Sequence, residues 1–281
     1  MPAKFQRKNP VVIIGVVLMV LLFIATLYPL VFTIMVSLKS TADFTVNPIG
    51  FPTDIRWLNF VDAWTGGNFS VLFLNTVVIT VFTIIFTILL ASPAGFALAK
   101  LNLKGGKLIY NYLILGMIIP FQTIMVPLMK ICRQLQAFNY SFTLIAIFTA
   151  TSIILPVMLY TSFYKSVPDE IVEAAKLDGC GMIRILGKIL FPLTKSVNAT
   201  VAIFVGMYAW RDYLIPSLFA TDPNARTLVV GIYNFTGSYF NNWPVIFAAI
   251  VIQSIPLVVL FLVFQKSFVD GITSGAVKGY Q

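Results

Sequence analysis

Val71–Ala99 reads VLFLNTVVITVFTIIFTILLASPAGFALA, 29 residues without one Lys, Arg, Asp or Glu. At about 1.5 Å per residue a helix of that length covers about 44 Å, more than the ~30 Å hydrocarbon core of a bilayer. A helix at the surface of a soluble protein keeps charges on one face; this one has none on any face, so lipid or other apolar helices surround it. Five more segments read the same way: 11–36, 108–129, 141–164, 197–219 and 245–264. The six hold 144 residues and only two charged side chains, Arg211 and Asp212.

Composition agrees. The chain is 59% hydrophobic and 10% charged, with a mean hydropathy of +0.93, whereas soluble domains carry about 25% charge. The expected fold class is therefore an all-α polytopic membrane protein with six transmembrane helices. Residues 1–10 form an N-terminal segment, 11–36 the first span, 37–70 a long loop, 71–264 a core with the other five spans, and 265–281 a tail.

Six spans put both termini on one side, and basic residues name the side. Segments 1–10, 100–107, 165–196 and 265–281 carry thirteen Lys and Arg; segments 37–70, 130–140 and 220–244 carry five. Basic loops resist translocation, so both termini are expected in the cytoplasm. The net charge of +9 then follows from topology and calls for no nucleic acid. The first apolar run is about twice as long as a signal-peptide core and lacks a small-residue cleavage site, so it reads as an uncleaved helix.

Several chemistries drop out. There is no histidine, and Cys132 and Cys180 fall on opposite sides of the membrane, too few and too far apart for a disulfide or a cysteine-based zinc site. Lys104-Gly105-Gly106-Lys107 lacks the Gly spacing and the Lys-Ser/Thr pair of a phosphate-binding loop and reads as a tight turn. No cofactor, metal or catalytic residue is expected in this chain. Asn68, Asn139 and Asn234 each begin an Asn-x-Ser/Thr triplet, which chance matches explain. Every span carries proline: Pro29, Pro93, Pro120, Pro127, Pro156, Pro216 and Pro256. Each removes an intrahelical hydrogen bond, which fits bent helices around a wet path, although proline is also commoner in membrane helices generally.

Segment 165–196 is the most informative loop. Ser166-Val-Pro-Asp169 reads as a helix start with a hydroxyl cap. Ile171, Ala174, Ala175 and Asp178 then fall at i, i+3, i+4 and i+7 on one face, and Gly179 and Gly181 stop the helix. A second amphipathic run, Met182 to Leu193, has Arg184 and Lys188 toward solvent and is ended or bent by Pro192.

Glu173-Ala174-Ala175, three residues, Gly179, nine residues, then Ile189-Leu190-Phe191-Pro192 resembles the cytoplasmic signature of permease subunits of bacterial ATP-binding-cassette (ABC) importers. The resemblance implies the type I ABC importer permease fold and a coupling helix, about Pro168 to Gly179, that docks in a cleft of a separate ATPase subunit. Glu173, Ala174, Ala175, Asp178, Gly179 and Pro192 would carry that coupling. ATP and Mg would be bound by two such ATPase subunits and not by this chain. Gly271 to Gly279 resembles the terminal signature of carbohydrate-uptake permeases of the maltose and multiple-sugar type, which would bring Thr273, Gly275, Lys278 and Gly279 to the ATPase interface. Asn47-Pro48, Phe51-Pro52, Asn59-Phe60 and Asn75-Thr76 resemble the same subgroup. The implied partners are a second related permease, an extracytoplasmic solute-binding protein and a mono- or oligosaccharide, in the plasma or inner membrane of a bacterium. Phe191, Cys180 and Arg211 depart from the family pattern.

A neutral sugar needs hydroxyl-matching polar groups and an aromatic platform. Asn75, Gln122, Tyr208, Trp210, Asp212 and Tyr213 are the candidates, though the three aromatics also fit an interfacial belt, and Arg211 with Asp212 could form a local pair. Another polar solute, such as a polyol or glycerol phosphate, fits the same frame. An ion-coupled secondary transporter is the competing class, but five of the six spans lack the ionisable groups such machines use.

Overall fold

The computed structural model describes residues 10–238 and 242–276, and among them every regular element is helical. Four helices are long and apolar enough to cross a membrane: Val12–Ser37, Phe69–Lys100, Met182–Arg211 and Trp243–Val263. Two bent pairs qualify as further spans if each pair counts as one: Gly106–Gly116 with Phe121–Gln134, bent by 94°, and Ser141–Ser152 with Ile154–Ser166, bent by 52°. One proline-bent span was expected at each place, over 108–129 and 141–164, and the bends are sharp enough to break each helix in two. Pro120 caps the start of the second helix of the first pair, and Pro156 lies in the first turn after the second break, where a missing N–H costs nothing.

The chain divides into two compact units, Met1–Gly67 with Asn234–Gln253, and Asn68–Tyr233 with Ser254–Gln281. In the first unit the helix Pro10–Ser37 is apolar all round and exposes nearly every large side chain, as a lipid-facing element must. The loop after it is ordered by polar side chains. Asn59 donates from its amide to the carbonyls of Ser37 (2.8 Å) and Lys39 (2.7 Å), satisfying helix-end groups that have no intrahelical partner. Lys39 is fully buried and its ammonium donates to the carbonyl of Asn47. Ser40 caps the helix Thr41–Val46 by accepting from Asp43 N. Segment 37–70 thus contains two short helices, Thr41–Val46 and Leu58–Thr65, and is a folded element.

The second unit is built around Phe69–Lys100. Leu72, Thr76, Ile79, Thr83 and Thr87 recur at three- and four-residue spacing on its buried face. Threonine is tolerated there because its hydroxyl can bond the carbonyl one turn back, as Thr76 does to Leu72 (2.8 Å) and Thr83 to Ile79 (2.7 Å). At Gly95 the helix crosses Ile154–Ser166 so closely that an added Cβ would lie 2.5 Å from Tyr160 Cβ and 2.9 Å from the backbone N of Thr161. Only glycine permits that approach.

Other boundaries shift. The fifth span runs over Met182–Arg211 rather than 197–219, and a separate short helix, Leu214–Phe219, follows. The cause is Asp212, whose carboxylate accepts the N–H of Ile215 at 2.8 Å and starts a new helix. The last helix continues to Ala276, through the start of the expected tail.

Candidate functional site

The loop signature folds as the helix Asp169–Leu177, with Pro168 at its cap position and Asp169 and Glu170 in its first turn, at the positive end of the dipole. Ser166 does not cap it: its hydroxyl donates to Phe163 O (2.8 Å) and closes the preceding helix. The other end explains the signature's spacing. Gly179 has φ +76°, its N–H donates to Lys176 O (2.9 Å), and Cys180 N–H donates to Ala175 O (2.9 Å). This pair of bonds is a Schellman closure, which fixes the left-handed residue four positions after the one whose carbonyl takes the longer bond. The four-residue step from Ala175 to Gly179 is thus set by hydrogen-bond geometry.

The face differs from the expected one. Val172 and Ala175 are buried, packed with Phe96, Tyr164, Val167 and Ile185 in one apolar cluster. Glu173, Ala174, Leu177 and Asp178 are exposed, as is Ile171. Ala175 therefore holds the helix to its own protein, while its neighbours on the outer face are free to meet a partner. The periodicity of one short run cannot say which side is the inside, and the buried side is set by packing against distant helices.

A second anchor was not foreseen. Lys100, the last residue of Phe69–Lys100, donates to Val167 O and to Asp169 Oδ1, each at 2.5 Å. Its side chain is 4% exposed, while that of Asp169 is 77% exposed. The start of the loop helix is thus pinned to the end of a long membrane helix. The only sequence signal was a lysine directly after a charge-free run.

Beyond the turn the chain enters Met182–Arg211 through irregular winding. Ile185–Leu190 is π-helical, with Phe191 N–H reaching Leu186 O, and Phe191–Thr194 is a 3-10 turn containing Pro192. Pro192 therefore changes the helix pitch and does not end it. Beside it lies a buried polar network. Tyr160 OH donates to Asn198 Oδ1 (2.5 Å), Thr194 Oγ1 lies 3.1 Å from the same oxygen and 2.7 Å from Phe191 O, and Ser92 Oγ meets Tyr164 OH at 2.7 Å. Tyr160 and Tyr164 are stacked at 6.0 Å. These groups join the long helix Phe69–Lys100, the helix Ile154–Ser166 and the irregular segment next to the loop helix, and a shift in one is felt by the other two.

The six solute candidates do not gather in one place. Asn75 donates both amide hydrogens to backbone carbonyls, of Asn224 (2.7 Å) and Arg226 (3.1 Å), and so pins the loop before Leu228–Ser238. Asp212 is occupied as a helix start, and Arg211 and Asp212 form no ion pair; among the described residues the ion pairs are Arg56–Asp62 and Lys100–Asp169. Trp210 is buried edge-on to Phe73 at 5.9 Å, Tyr213 lies 4.8 Å from the ring of Tyr233, and Gln122 is exposed in the first turn after the 94° bend. Tyr208 lines two cavities, one of about 730 Å³ and one of about 390 Å³. The smaller has Thr151, Ser152, Tyr208 and Arg211 in its wall, and Tyr208 OH donates to Thr151 Oγ1 (3.3 Å). Thr151 and Ser152 were missed because hydroxyls are unremarked in an apolar run. Of the tail residues, Thr273 and Gly275 lie in the last helix, and Lys278 and Gly279 lie outside the described residues. Among the described residues no group of three or more Cys, Asp or Glu could hold a metal.

The geometry can be set beside known proteins. The chain is 40% identical over 244 residues to the melibiose/raffinose/stachyose import permease protein MelC of Bacillus subtilis, covering 86% of this chain and 88% of that one. It is 34% identical over 260 residues to the sulfoquinovosyl glycerol transport system permease protein SmoH of Agrobacterium fabrum, covering 92% and 91%. Its fold matches, at TM-score 0.83 and 22% identity over 95% of this chain and all of the other, a chain in the crystal structure of a bacterial ABC transporter involved in the import of the acidic polysaccharide alginate. Residues 91–274, which include the loop helix, its lysine-pinned start and the irregular segment after it, match the binding-protein-dependent transport system inner membrane component, and to that family the chain belongs.

Proposed function

We propose that this chain is one transmembrane subunit of an ATP-driven sugar importer of the bacterial plasma or inner membrane. It crosses the membrane six times, each bent pair counting as one span, with residues 1–10, 265–281 and the loop from 165 through the first turns of Met182–Arg211, to about residue 196, in the cytoplasm and 37–70 outside. It pairs with a second permease, receives a mono- or oligosaccharide from an extracytoplasmic binding protein, and performs no catalysis itself. ATP is hydrolysed by two separate subunits, and their closure is delivered through the helix Asp169–Leu177.

The observation that carries this reading is the loop helix itself. It is fastened at its start by Lys100 and along its inner face by Val172 and Ala175 in the apolar cluster, so its exposed face cannot yield without moving the helices it is packed on. Rigid attachment of this kind is what transmission of mechanical work requires. Glu173, Ala174 and Asp178 are the surface that meets the ATPase; Ala175, Gly179 and Pro192 shape it. The tail residues Thr273, Gly275, Lys278 and Gly279 are assigned to the same interface by resemblance to the family.

Tyr208, with Thr151 and Ser152 in the same cavity wall, is the candidate for the solute path that the cavity supports best, and supplies hydroxyls that can match those of a sugar. Arg211 in the same wall favours a second reading in which the solute carries an acidic group, as in a sugar acid or glycerol phosphate. The test is ATP hydrolysis by the reconstituted complex with its binding protein, screened against neutral oligosaccharides, sugar acids and glycerol phosphate. Stimulation by a sugar supports the reading, and stimulation only by non-carbohydrate solutes overturns it.

A further inference from the structure

A small cavity of about 130 Å³ lies where the long helix Phe69–Lys100 ends, between the helices Gly106–Gly116 and Ile154–Ser166. Its polar wall is made by Lys107, Tyr110, Asn111, Thr161 and Lys165. No acid lines it. The Lys165 ammonium lies 5.4 Å from the centre of the Tyr110 ring, and neither Lys107 nor Lys165 has a carboxylate partner among the described residues. The nearest acid along the chain, Asp169, is held by Lys100. Lys107 also lies in the first turn of Gly106–Gly116, where the helix dipole favours an anion.

Two lysines and an amide in the acid-free wall of a pocket this small form a cradle for one oxyanion group. What lies next to it selects the source of that anion. On the same helix Leu108, Tyr112 and Leu115 are 75%, 75% and 59% exposed at i, i+4 and i+7, an apolar stripe running away from the cavity. A free phosphate has no use for such a stripe; an acyl chain does.

We propose that this cavity binds the phosphate of an anionic phospholipid headgroup, with an acyl chain along Leu108, Tyr112 and Leu115. Lys107 and Lys165 supply the charge, and the Tyr110 ring holds Lys165 in place. The site needs only the spans and holds whichever solute the chain carries.

Native mass spectrometry of the assembled importer, titrated with phosphatidylglycerol, tests it. One lipid should be retained per copy of this chain, in preference to phosphatidylcholine and undisturbed by excess inorganic phosphate. Near a membrane surface each basic side chain is worth about fivefold in affinity, so Lys107→Gln with Lys165→Gln should weaken retention ~30-fold. Lys104→Gln, outside the cavity wall, should weaken retention less than Lys107→Gln does. If the double variant does not assemble, Lys107→Gln alone carries the test at about fivefold. Equal retention of phosphatidylcholine, displacement by inorganic phosphate, or an equal loss in Lys104→Gln would overturn the proposal.

Discussion

Replacing Lys100 by Met keeps most of the apolar stem and removes the ammonium. Two bonds are lost, and they are not equal. Asp169 is 77% exposed, so its carboxylate returns to water and the ion pair contributes no more than about 0.5 kcal/mol. The Val167 carbonyl belongs to a residue only 8% exposed, and it loses a charge-assisted hydrogen bond worth about 1.5 to 2 kcal/mol. Together these loosen the start of Asp169–Leu177 by about 2 kcal/mol, roughly a thirtyfold rise in local opening. Amide hydrogen exchange over that helix, measured in the assembled importer, reads this directly. Lys100→Met should speed exchange there by ten- to thirtyfold, while Asp169→Asn should speed it less than about threefold. Sugar moved per ATP should fall in the first variant and hold in the second. If Asp169→Asn matched Lys100→Met, the attachment would be an ion pair rather than a carbonyl anchor, and the reasoning from burial would be refuted.

Ala175→Leu overfills the cluster with Phe96, Tyr164 and Ile185 and should destabilise by about 1 to 3 kcal/mol, seen as a lower midpoint in thermal unfolding of the complex. Ala174→Arg, on the exposed face, should leave that midpoint unchanged yet prevent co-purification of the ATPase subunits. Gly179→Ala meets no atom within 4 Å, so its cost is only the left-handed backbone, about 1 to 2 kcal/mol, and transport should persist at reduced rate. Gly95→Ala, by contrast, would collide with Tyr160 Cβ and the Thr161 backbone, and should abolish accumulation of folded protein in the membrane.

Long apolar runs were legible because one property decides them: a stretch such as Val71–Ala99 without charge has no soluble alternative. The helix in 165–196 and its glycine stop were legible for a different reason, since caps and breakers act within a few residues. What escaped turns on which of several possible partners a group takes, near or far along the chain. Asp212 looked like half of an ion pair, but its carboxylate starts a helix at Ile215. Asn75 was read only as a solute contact, and its amide also donates to two carbonyls about 150 residues away. The inward side of Asp169–Leu177 is set by Tyr164 and Ile185, which lie on other helices. The breaks at Met117–Pro120 and Ile153 follow from prolines that were noted, yet a proline alone does not say whether a membrane helix bends a little or by 94°.

The central claim is that this chain moves solute with energy released on another subunit and delivered at Asp169–Leu177. The most direct measurement is uptake of radiolabelled sugar into sealed vesicles holding the full complex, with ion gradients collapsed by ionophores. The account predicts uptake that depends on ATP and on the ATPase subunits and is lost in Ala174→Arg. Uptake by the permease alone, or uptake that follows an imposed ion gradient without ATP, would contradict it.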